Sequence, residues 1–215
     1  MPKIKSFERH TNQYENWFKN NRFAYESELQ AVKALVPENG TGIEIGVGTG
    51  RFAEPLGIKS GIEPSRAMGK IARQRGIEVF NGVAEALPFD NDQFDFALMV
   101  TTICFLDDIE LSFKEVHRVL KTGGAFIVGF VDRNSSIGII YEKHKNESVF
   151  YRNATFFSID EIISYLEKTG FKNFSFTQTI FRNLDEISDV EPVKKGYGEG
   201  SFVVVRGFST VSPER

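Results

Sequence analysis

The sequence predicts an α/β fold in which helices cover both faces of a doubly wound, mostly parallel sheet. From residue 43 onward the 215-residue chain alternates candidate strands with candidate helices, which is typical of a parallel sheet. The strands are almost continuously apolar, as expected of strands buried on both faces. A glycine-rich turn follows the first strand, at the edge where open α/β sheets bind ligands. The length suits one domain with a substantial core.

The chain is organised around residues 41–53, where a β-branched strand breaks into glycines. Gly46, Gly48 and Gly50 stand at every second position. Without Cβ atoms they let the backbone turn sharply and let a ligand lie against the main chain. The residues after Gly50 can begin a helix, whose free N–H groups would face that ligand. This stretch therefore predicts a site for a nucleotide-like cofactor.

Two patterns overlap in this stretch and leave the kind of cofactor open. Residues 48–53 fit the dinucleotide fingerprint G-x-G-x-x-A. The longer pattern, acid-x-Gly-x-Gly-x-Gly, begins at Glu44. Glu63 follows at the tip of the second predicted strand, where a carboxylate can accept hydrogen bonds from both ribose hydroxyls. These residues do not distinguish the dinucleotide fingerprint from the longer acidic pattern, but motifs farther along the chain do.

The composition argues against several kinds of protein and indicates the cellular compartment. A net charge of −3 and a pI near 5.7 argue against a broad nucleic-acid footprint. The single cysteine, Cys104, excludes an internal disulfide framework and a multi-cysteine metal site, which favours a reducing compartment. The polar N-terminus is unlike a signal peptide, and no apolar run approaches a membrane span. We expect a cytoplasmic protein without a metal ion or a membrane partner.

The predicted elements follow from apolar periodicity and turn residues. Helices are expected within 11–36 and at 52–56, 65–76, 109–120 and 159–168, and seven strands at 43–47, 57–63, 77–80, 94–100, 125–131, 171–181 and 201–208. Ser65 and Ser158 are the predicted N-caps of their helices. The last two strands are expected to pair as an antiparallel hairpin, joined by a connection over 182–200.

Several motifs occur in a fixed order, and together they resemble the class I S-adenosylmethionine-dependent methyltransferases. They are Glu44-x-Gly-x-Gly-x-Gly50, Gly61-Ile-Glu63-Pro-Ser65, Ala84-Glu85-x-Leu-Pro88-Phe89, Phe94-Asp95 and Arg118-Val-Leu-Lys-Thr-Gly-Gly124. The resemblance covers roughly residues 40–131. It is greatest to the branch that contains the ubiquinone and menaquinone C-methyltransferases and many small-molecule enzymes. It implies a Rossmann-like, seven-stranded sheet, mostly parallel with an antiparallel last strand.

The resemblance also implies which residues contact S-adenosylmethionine. The backbone at Glu44, Gly46, Val47, Gly48 and Gly50 would line its amino-acid end, Glu63 would hold the ribose, Pro64 and Met68 would touch the adenine face, and Ala84 and Glu85 would border the adenine edge. Thr101 and Thr102 follow the fourth strand at the ligand-binding edge, and Phe105 would pack beneath the adenine or near the methyl group. Val83 departs from the pattern, because relatives often have Asp there; the adenine amino group then needs another acceptor, such as Glu85 or water.

The remaining segments are expected to form the acceptor side of the site. The predicted organisation is a helical cap at 1–36, a cofactor-binding core at 37–131, a variable lid at 132–157, and a C-terminal helix with a hairpin at 158–215. Aromatic residues of the cap and the lid either roof the acceptor pocket or only pack their segments onto the body. The candidates are Tyr14, Trp17, Phe18, Phe150, Tyr151, Arg152 and Phe156.

The implied reaction is an in-line methyl transfer to a small molecule, for which orientation matters more than a protein nucleophile. A general base is needed only if the acceptor must lose a proton, so no catalytic residue is assigned. We expect Asp95 to cap a strand or stabilise a turn, and we expect His117 and Cys104 to have ordinary structural roles. The alternatives are a non-catalytic S-adenosylmethionine-binding regulator and an NAD-dependent oxidoreductase. A nucleic-acid base methyltransferase is disfavoured, since Thr101-Thr102-Ile103-Cys104 stands where Asn/Asp-Pro-Pro-aromatic is usual.

Overall fold

The computed structural model describes residues 4–211, and within them it forms a single eight-stranded sheet. The strands are β1 (Gly42–Ile45), β2 (Ser60–Ile62), β3 (Glu78–Phe80), β4 (Phe94–Val100), β5 (Leu120–Val131), β6 (Phe171–Thr179), β7 (Lys194–Lys195) and β8 (Phe202–Ser209). Their order is β3-β2-β1-β4-β5-β8-β6-β7. Neighbours from β3 to β5 pair in parallel, whereas β8 runs antiparallel to both β5 and β6. This is the predicted Rossmann-like sheet with its antiparallel hairpin.

Helices cover both faces of the sheet. They are α1 (Lys5–Arg9), α2 (Thr11–Asn20), α3 (Arg22–Lys33), α4 (Ala53–Leu56), α5 (Arg66–Gln74), α6 (Ile109–Val119), α7 (Ser136–His144) and α8 (Ile159–Lys168). Two apolar cores result, one per face. Phe113 of α6 and Ile162 of α8 belong to the first core, and Val32 of α3 belongs to the second.

The predicted caps are present. The Ser65 hydroxyl accepts a hydrogen bond from the Met68 N–H at 3.3 Å, at the start of α5. Ser158 and Glu161 form a reciprocal capping box at the start of α8, which satisfies two N–H groups that the helix itself leaves unpaired.

The structure differs from the sequence-based expectation in several places. Residues 121–124, expected as a turn, lie inside β5, whose pairing with β4 shifts register between Phe94 and Phe96. Strand β7 comes from the expected connection; at two residues it is too short to show periodicity. The cap begins with α1, ahead of the helices expected from residue 11. Residues 1–3 and 212–215, the ends of the predicted cap and C-terminal segment, lie outside the described residues.

Two of the sequence motifs hold each other in place. The Arg118 guanidinium donates to the backbone oxygens of Leu87 at 3.0 Å and Phe89 at 2.7 Å. Glu115 pairs with the same guanidinium at 2.7 Å and accepts from the Leu87 N–H at 2.8 Å. Helix α6 thereby fixes the loop that follows β3, and this loop leads to the cavity.

Three residues expected to have ordinary structural roles do so. Asp95 accepts hydrogen bonds from the Thr41 N–H and the Lys121 Nζ, each at 2.8 Å. His117 is buried, with its Nε2 3.0 Å from the Thr210 oxygen. The buried Cys104 thiol lies 3.3 Å from the Thr101 oxygen.

Between residues 4 and 211 no helix is both long and apolar enough to cross a membrane. Over the same residues, no group of three or more His, Cys, Asp or Glu side chains is placed to hold a metal ion.

Candidate active site

A cavity of about 860 Å³ opens at the carboxyl edge of the sheet, within the size range of small-molecule sites. It runs from the loop after β3 across the ends of β2, β1 and β4 to the end of β5. The candidates from the sequence that line it are Gly46, Gly48, Glu63, Pro64, Met68, Ala84, Glu85, Thr101, Thr102 and Phe105, with Tyr14, Trp17, Phe18, Phe150 and Tyr151. The fold therefore gathers residues from distant motifs around one space.

The glycines of the turn after β1 serve different purposes. Gly48 adopts φ +56°, and a Cβ there would have only ordinary contacts, 3.5 Å from the Tyr14 hydroxyl and 3.6 Å from Met68 Cε. Its bare backbone faces the cavity. A Cβ on Gly46 would instead lie 2.5 Å from the Thr102 side chain, and one on Gly50 would collide with Ile77. Close packing explains Gly46 and Gly50, and Gly48 is the glycine that leaves room for a ligand.

Glu63, directly after β2, presents its carboxylate to the cavity. One oxygen accepts from the Gly48 N–H at 2.9 Å, and the other accepts from the Ser65 N–H at 2.8 Å. Each oxygen keeps a second acceptor position. Burial raises the pKa of this carboxyl to about 7, although the two N–H donors oppose the effect. The side chain is thus oriented by the glycine turn and can still accept two further hydrogen bonds.

Backbone strain marks the end of β4. Thr101 adopts φ +50°, which is an outlier for a β-branched residue and suggests a functional constraint. The Thr101 N–H donates to the Gly129 oxygen at 2.8 Å, so pairing with β5 holds this conformation. Thr102 packs its hydroxyl 3.0 Å from the Val100 oxygen. Both threonines line the cavity, as predicted from their position after the strand.

Glu85 supports a loop at the cavity mouth. One of its carboxylate oxygens accepts from the Asp107 N–H at 2.9 Å and the Asp108 N–H at 3.3 Å. Val83, where the family resemblance implies Asp, also lines the cavity. The carboxylate that could replace that Asp is therefore already engaged through one oxygen.

Aromatic contacts between distant segments form a roof over the cavity. Phe7 of α1 lies 5.0 Å from Phe105 and 5.3 Å from Phe150, measured between ring centroids. Tyr14 of α2 lies 5.1 Å from Phe18. Burial, followed by the nearby Glu44 and Glu63 carboxylates, raises the pKa of the Tyr14 phenol above its usual range. These contacts enclose the ligand space with side chains that stay uncharged.

One ion-pair cluster fastens α2 to the glycine turn. Glu15 accepts from the Thr49 hydroxyl at 2.5 Å, and its carboxylate pairs with Arg51 at 2.5 Å and Arg75 at 2.7 Å. Arg75 also donates to the Thr49 oxygen. Although burial opposes it, hydrogen bonds from Arg75 and Arg51 lower the pKa of Glu15 to about 2. Because Tyr14 and Trp17 flank Glu15, this cluster sets the position of the roof.

Five of the predicted site residues do not line the cavity. Glu44 is buried beneath the turn, where its carboxylate accepts from the Ala53 N–H and burial raises its pKa well above the usual value. Val47 packs against Gly61, and Gly50 packs against Ile77. Arg152 is exposed. Phe156 is buried in a separate cluster behind the cavity wall.

The sequence reasoning missed Glu28, which also lines the cavity. This acidic residue of α3 is not among the site residues expected from the sequence, yet only 7% of it is exposed. Glu28 lies four residues from both Ala24 and Val32, so the helical period puts it on the buried stripe. That spacing was the available signal.

Acidic side chains dominate the charged lining of the cavity. Among the described residues, Glu28, Glu63, Glu85, Asp107 and Asp108 line it, and no Lys or Arg does. Such a lining gives a potential that favours cations.

Comparisons with known proteins agree with this geometry. The family described as "Methyltransferase domain" matches residues 43–128. An uncharacterised protein of Methanocaldococcus jannaschii is 46% identical over 199 residues, which are 93% of this chain and 96% of that protein. The demethylmenaquinone methyltransferase of Roseiflexus castenholzii is 37% identical over 102 residues, 42% of each chain.

A solved structure from Thermotoga maritima is also similar. It is described as an S-adenosylmethionine-dependent methyltransferase, possible histamine N-methyltransferase. It is 58% identical, with a TM-score of 0.94, and the match covers 96% of this chain and 100% of that one.

Together, the fold and these matches define a methyl-transferring enzyme rather than a dinucleotide-dependent one. The chain belongs to the class I S-adenosylmethionine-dependent methyltransferases, and S-adenosylmethionine is its cofactor. The cavity fits this cofactor, because Gly48 leaves open backbone, Glu63 keeps spare acceptor positions and the acidic lining suits a sulfonium cation.

Proposed function

We propose that the enzyme methylates a small molecule, which binds beside the cofactor under the aromatic roof. The observation that carries this proposal is the roof itself, where Phe7 packs on both Phe105 and Phe150. A cavity that is roofed in this way suits a compact ligand better than a macromolecular acceptor.

In this proposal the cofactor end of the cavity is the end near β2. Glu63 accepts hydrogen bonds from the ribose, and the backbone at Gly48 faces the amino-acid part. Pro64 and Met68 contact the adenine, and Thr101 and Thr102 border the transferred group. The bound cofactor supplies an electrophilic methyl group. The protein residues orient the acceptor and exclude water, which can contribute roughly 7–11 kcal/mol.

Replacing Glu63 tests the cofactor side. We expect Glu63→Gln to weaken S-adenosylmethionine binding about 10- to 100-fold, because hydrogen bonds to a charged acceptor are lost. Isothermal titration calorimetry measures this, with Glu78→Gln on the exposed side of β3 as the matched control. Equal affinity in the two variants would remove Glu63 from the site.

The acceptor class is tested by the release of S-adenosylhomocysteine. We expect release with the fraction of a cell extract that passes a small-pore ultrafilter. Release only with the retained, macromolecular fraction would contradict the proposal.

A further inference from the structure

Glu28 is a buried carboxylate to which the proposed cofactor contacts assign no role. It lies on α3, which packs against β6 and β8, far along the sheet from Glu63 at the tip of β2. The Thr177 hydroxyl of β6 anchors this helix by donating to the Ala31 oxygen at 2.8 Å. Near the other end of α3, the Tyr25 hydroxyl donates to the Arg51 oxygen of the glycine turn at 2.5 Å, so Glu28 lies between that turn and the strands at the far side of the sheet.

Within residues 4–211, no side chain or backbone group donates a hydrogen bond to the Glu28 carboxylate or forms an ion pair with it, and burial alone shifts its pKa. Only 7% of the residue is exposed. A buried carboxylate without a partner is costly. Such a group in a cavity wall can bind a ligand that donates a hydrogen bond to it or carries a positive charge.

The surroundings of Glu28 suit a cation. The lining contains Tyr14, Trp17, Tyr141 and Tyr151, and the rings of Tyr141 and Tyr151 stack with centroids 5.1 Å apart. Aromatic faces attract ammonium groups. The described lining contains no Lys or Arg, and its one histidine, His144, lies 3.4 Å from the Glu147 carboxylate, so the lining offers little to pair with a carboxylate or phosphate on the acceptor.

We propose that the acceptor is an amine, and that the Glu28 carboxylate binds its ammonium group and removes the proton that blocks methylation. This rests on the proposed function and names the substrate class of the same site. Glu28 is thereby both a binding and a catalytic residue.

The proton step balances within the pair. An N–H bond of the ammonium breaks, an O–H bond forms on Glu28, and the electron pair stays on nitrogen. The neutral amine then has the lone pair that methyl transfer consumes, and it is no longer repelled by the sulfonium charge. Burial raises the pKa of Glu28 to about 8 in the empty cavity. An ammonium group beside the carboxyl favours its charged form, and in that form Glu28 can accept the proton near neutral pH.

The test measures binding of three matched probes, 2-phenylethylamine, 2-phenylethanol and phenylacetate, with and without S-adenosylhomocysteine. We expect wild-type protein to bind the amine about 10-fold or more tightly than the alcohol and to reject phenylacetate. Glu28→Gln should lose this preference and leave alcohol binding unchanged. Glu26→Gln, on the outer side of α3, is the control and should match wild type.

The outcomes separate this inference from the proposed function. Wild-type protein that binds S-adenosylhomocysteine but binds the amine no better than the alcohol overturns the role of Glu28 alone. Failure to bind S-adenosylhomocysteine overturns the cofactor site. If Glu28→Gln keeps the full amine preference, while thermal unfolding shows that it is folded, the inference is also wrong.

Discussion

Glu63 and Glu28 are two carboxyl groups in one cavity, and they differ in what the protein gives them. Glu63 receives hydrogen bonds from two backbone N–H groups, whereas Glu28 receives none from the described residues. Burial raises the pKa of both, to about 7 and about 8 respectively. The fold therefore orients the Glu63 carboxylate for a defined ligand. It leaves the Glu28 carboxylate buried without a donor, which lowers the stability of the protein.

That cost predicts a pH-dependent effect of Glu28 on stability. The unfolded chain releases this proton near the ordinary value of 4.5, and the folded chain releases it near 8. Unfolding thus releases a proton between these values, so stability falls as the pH rises through this window. The phenols of Tyr14, Tyr141 and Tyr151, whose pKa values are raised, remain neutral throughout.

As the pH rises from 5.5 to 7.5, the wild-type protein should therefore lose roughly 2–3 kcal/mol of folding stability relative to the Glu28→Gln variant. Urea unfolding of both proteins at the two pH values measures this change. The titration of Glu63 and Glu44 contributes equally to both proteins and cancels in the comparison. A difference that does not change with pH would mean that Glu28 titrates normally in the folded protein.

At the scale of elements, helix α2 is held to the glycine turn by charge. Glu15 joins residues 34 and 60 positions away in the chain, Thr49 and Arg75. The helix that carries Tyr14 and Trp17 is thereby locked to the loop that carries Gly48. A substitution that weakens this cluster should therefore loosen both the aromatic roof and the glycine turn.

We expect Glu15→Gln to destabilise the protein by roughly 2–3 kcal/mol at neutral pH, a fall in Tm of roughly 5–10 °C. Because the pKa of Glu15 is lowered from 4.5 to about 2, this contribution is complete above pH 4.5 and is lost as the pH falls toward 2. Thermal unfolding at pH 7 and pH 3 measures both effects.

Glu54→Gln is the matched control, since Glu54 pairs with Arg75 at 3.3 Å but has a side chain 53% exposed. It should change stability by less than about 0.5 kcal/mol. Similar losses in the two variants would show that the cluster does not anchor α2.

The elements could be predicted where the pattern was strong. Strand β4 matches the prediction at both ends, because apolar residues fill it and polar residues bound it. Strand β2 begins at Ser60 rather than at residue 57, since Gly57 adopts φ +73° and ends α4. Helix α1 is five residues long, and so short a helix shows no amphipathic period.

The site could be predicted where the chemistry is local. The glycine turn and Glu63 were found because strand, turn and acid follow one another in the sequence. The cluster around Glu15 could not be found, since it joins side chains through tertiary packing. Glu28 was missed because charged residues of an amphipathic helix usually face solvent, although its spacing from Ala24 and Val32 matches the buried stripe.

At the scale of the whole molecule, the sheet brings two kinds of recognition to one cavity. The residues after β1, β2 and β4 line the end that we propose for the cofactor, and α3 with the segments after β5 lines the end that we propose for the acceptor. The roof from α1 and α2 covers both. In our proposal, specificity for the acceptor therefore resides mainly outside the matched methyltransferase domain at residues 43–128.

A crystal structure with S-adenosylhomocysteine tests the central claim most directly. We expect both ribose hydroxyls within about 3 Å of the Glu63 carboxylate, the amino-acid part over Gly48, and Glu28 free beside the sulfur. Cofactor bound away from the turn after β1, or a ribose without contact to Glu63, would contradict the account.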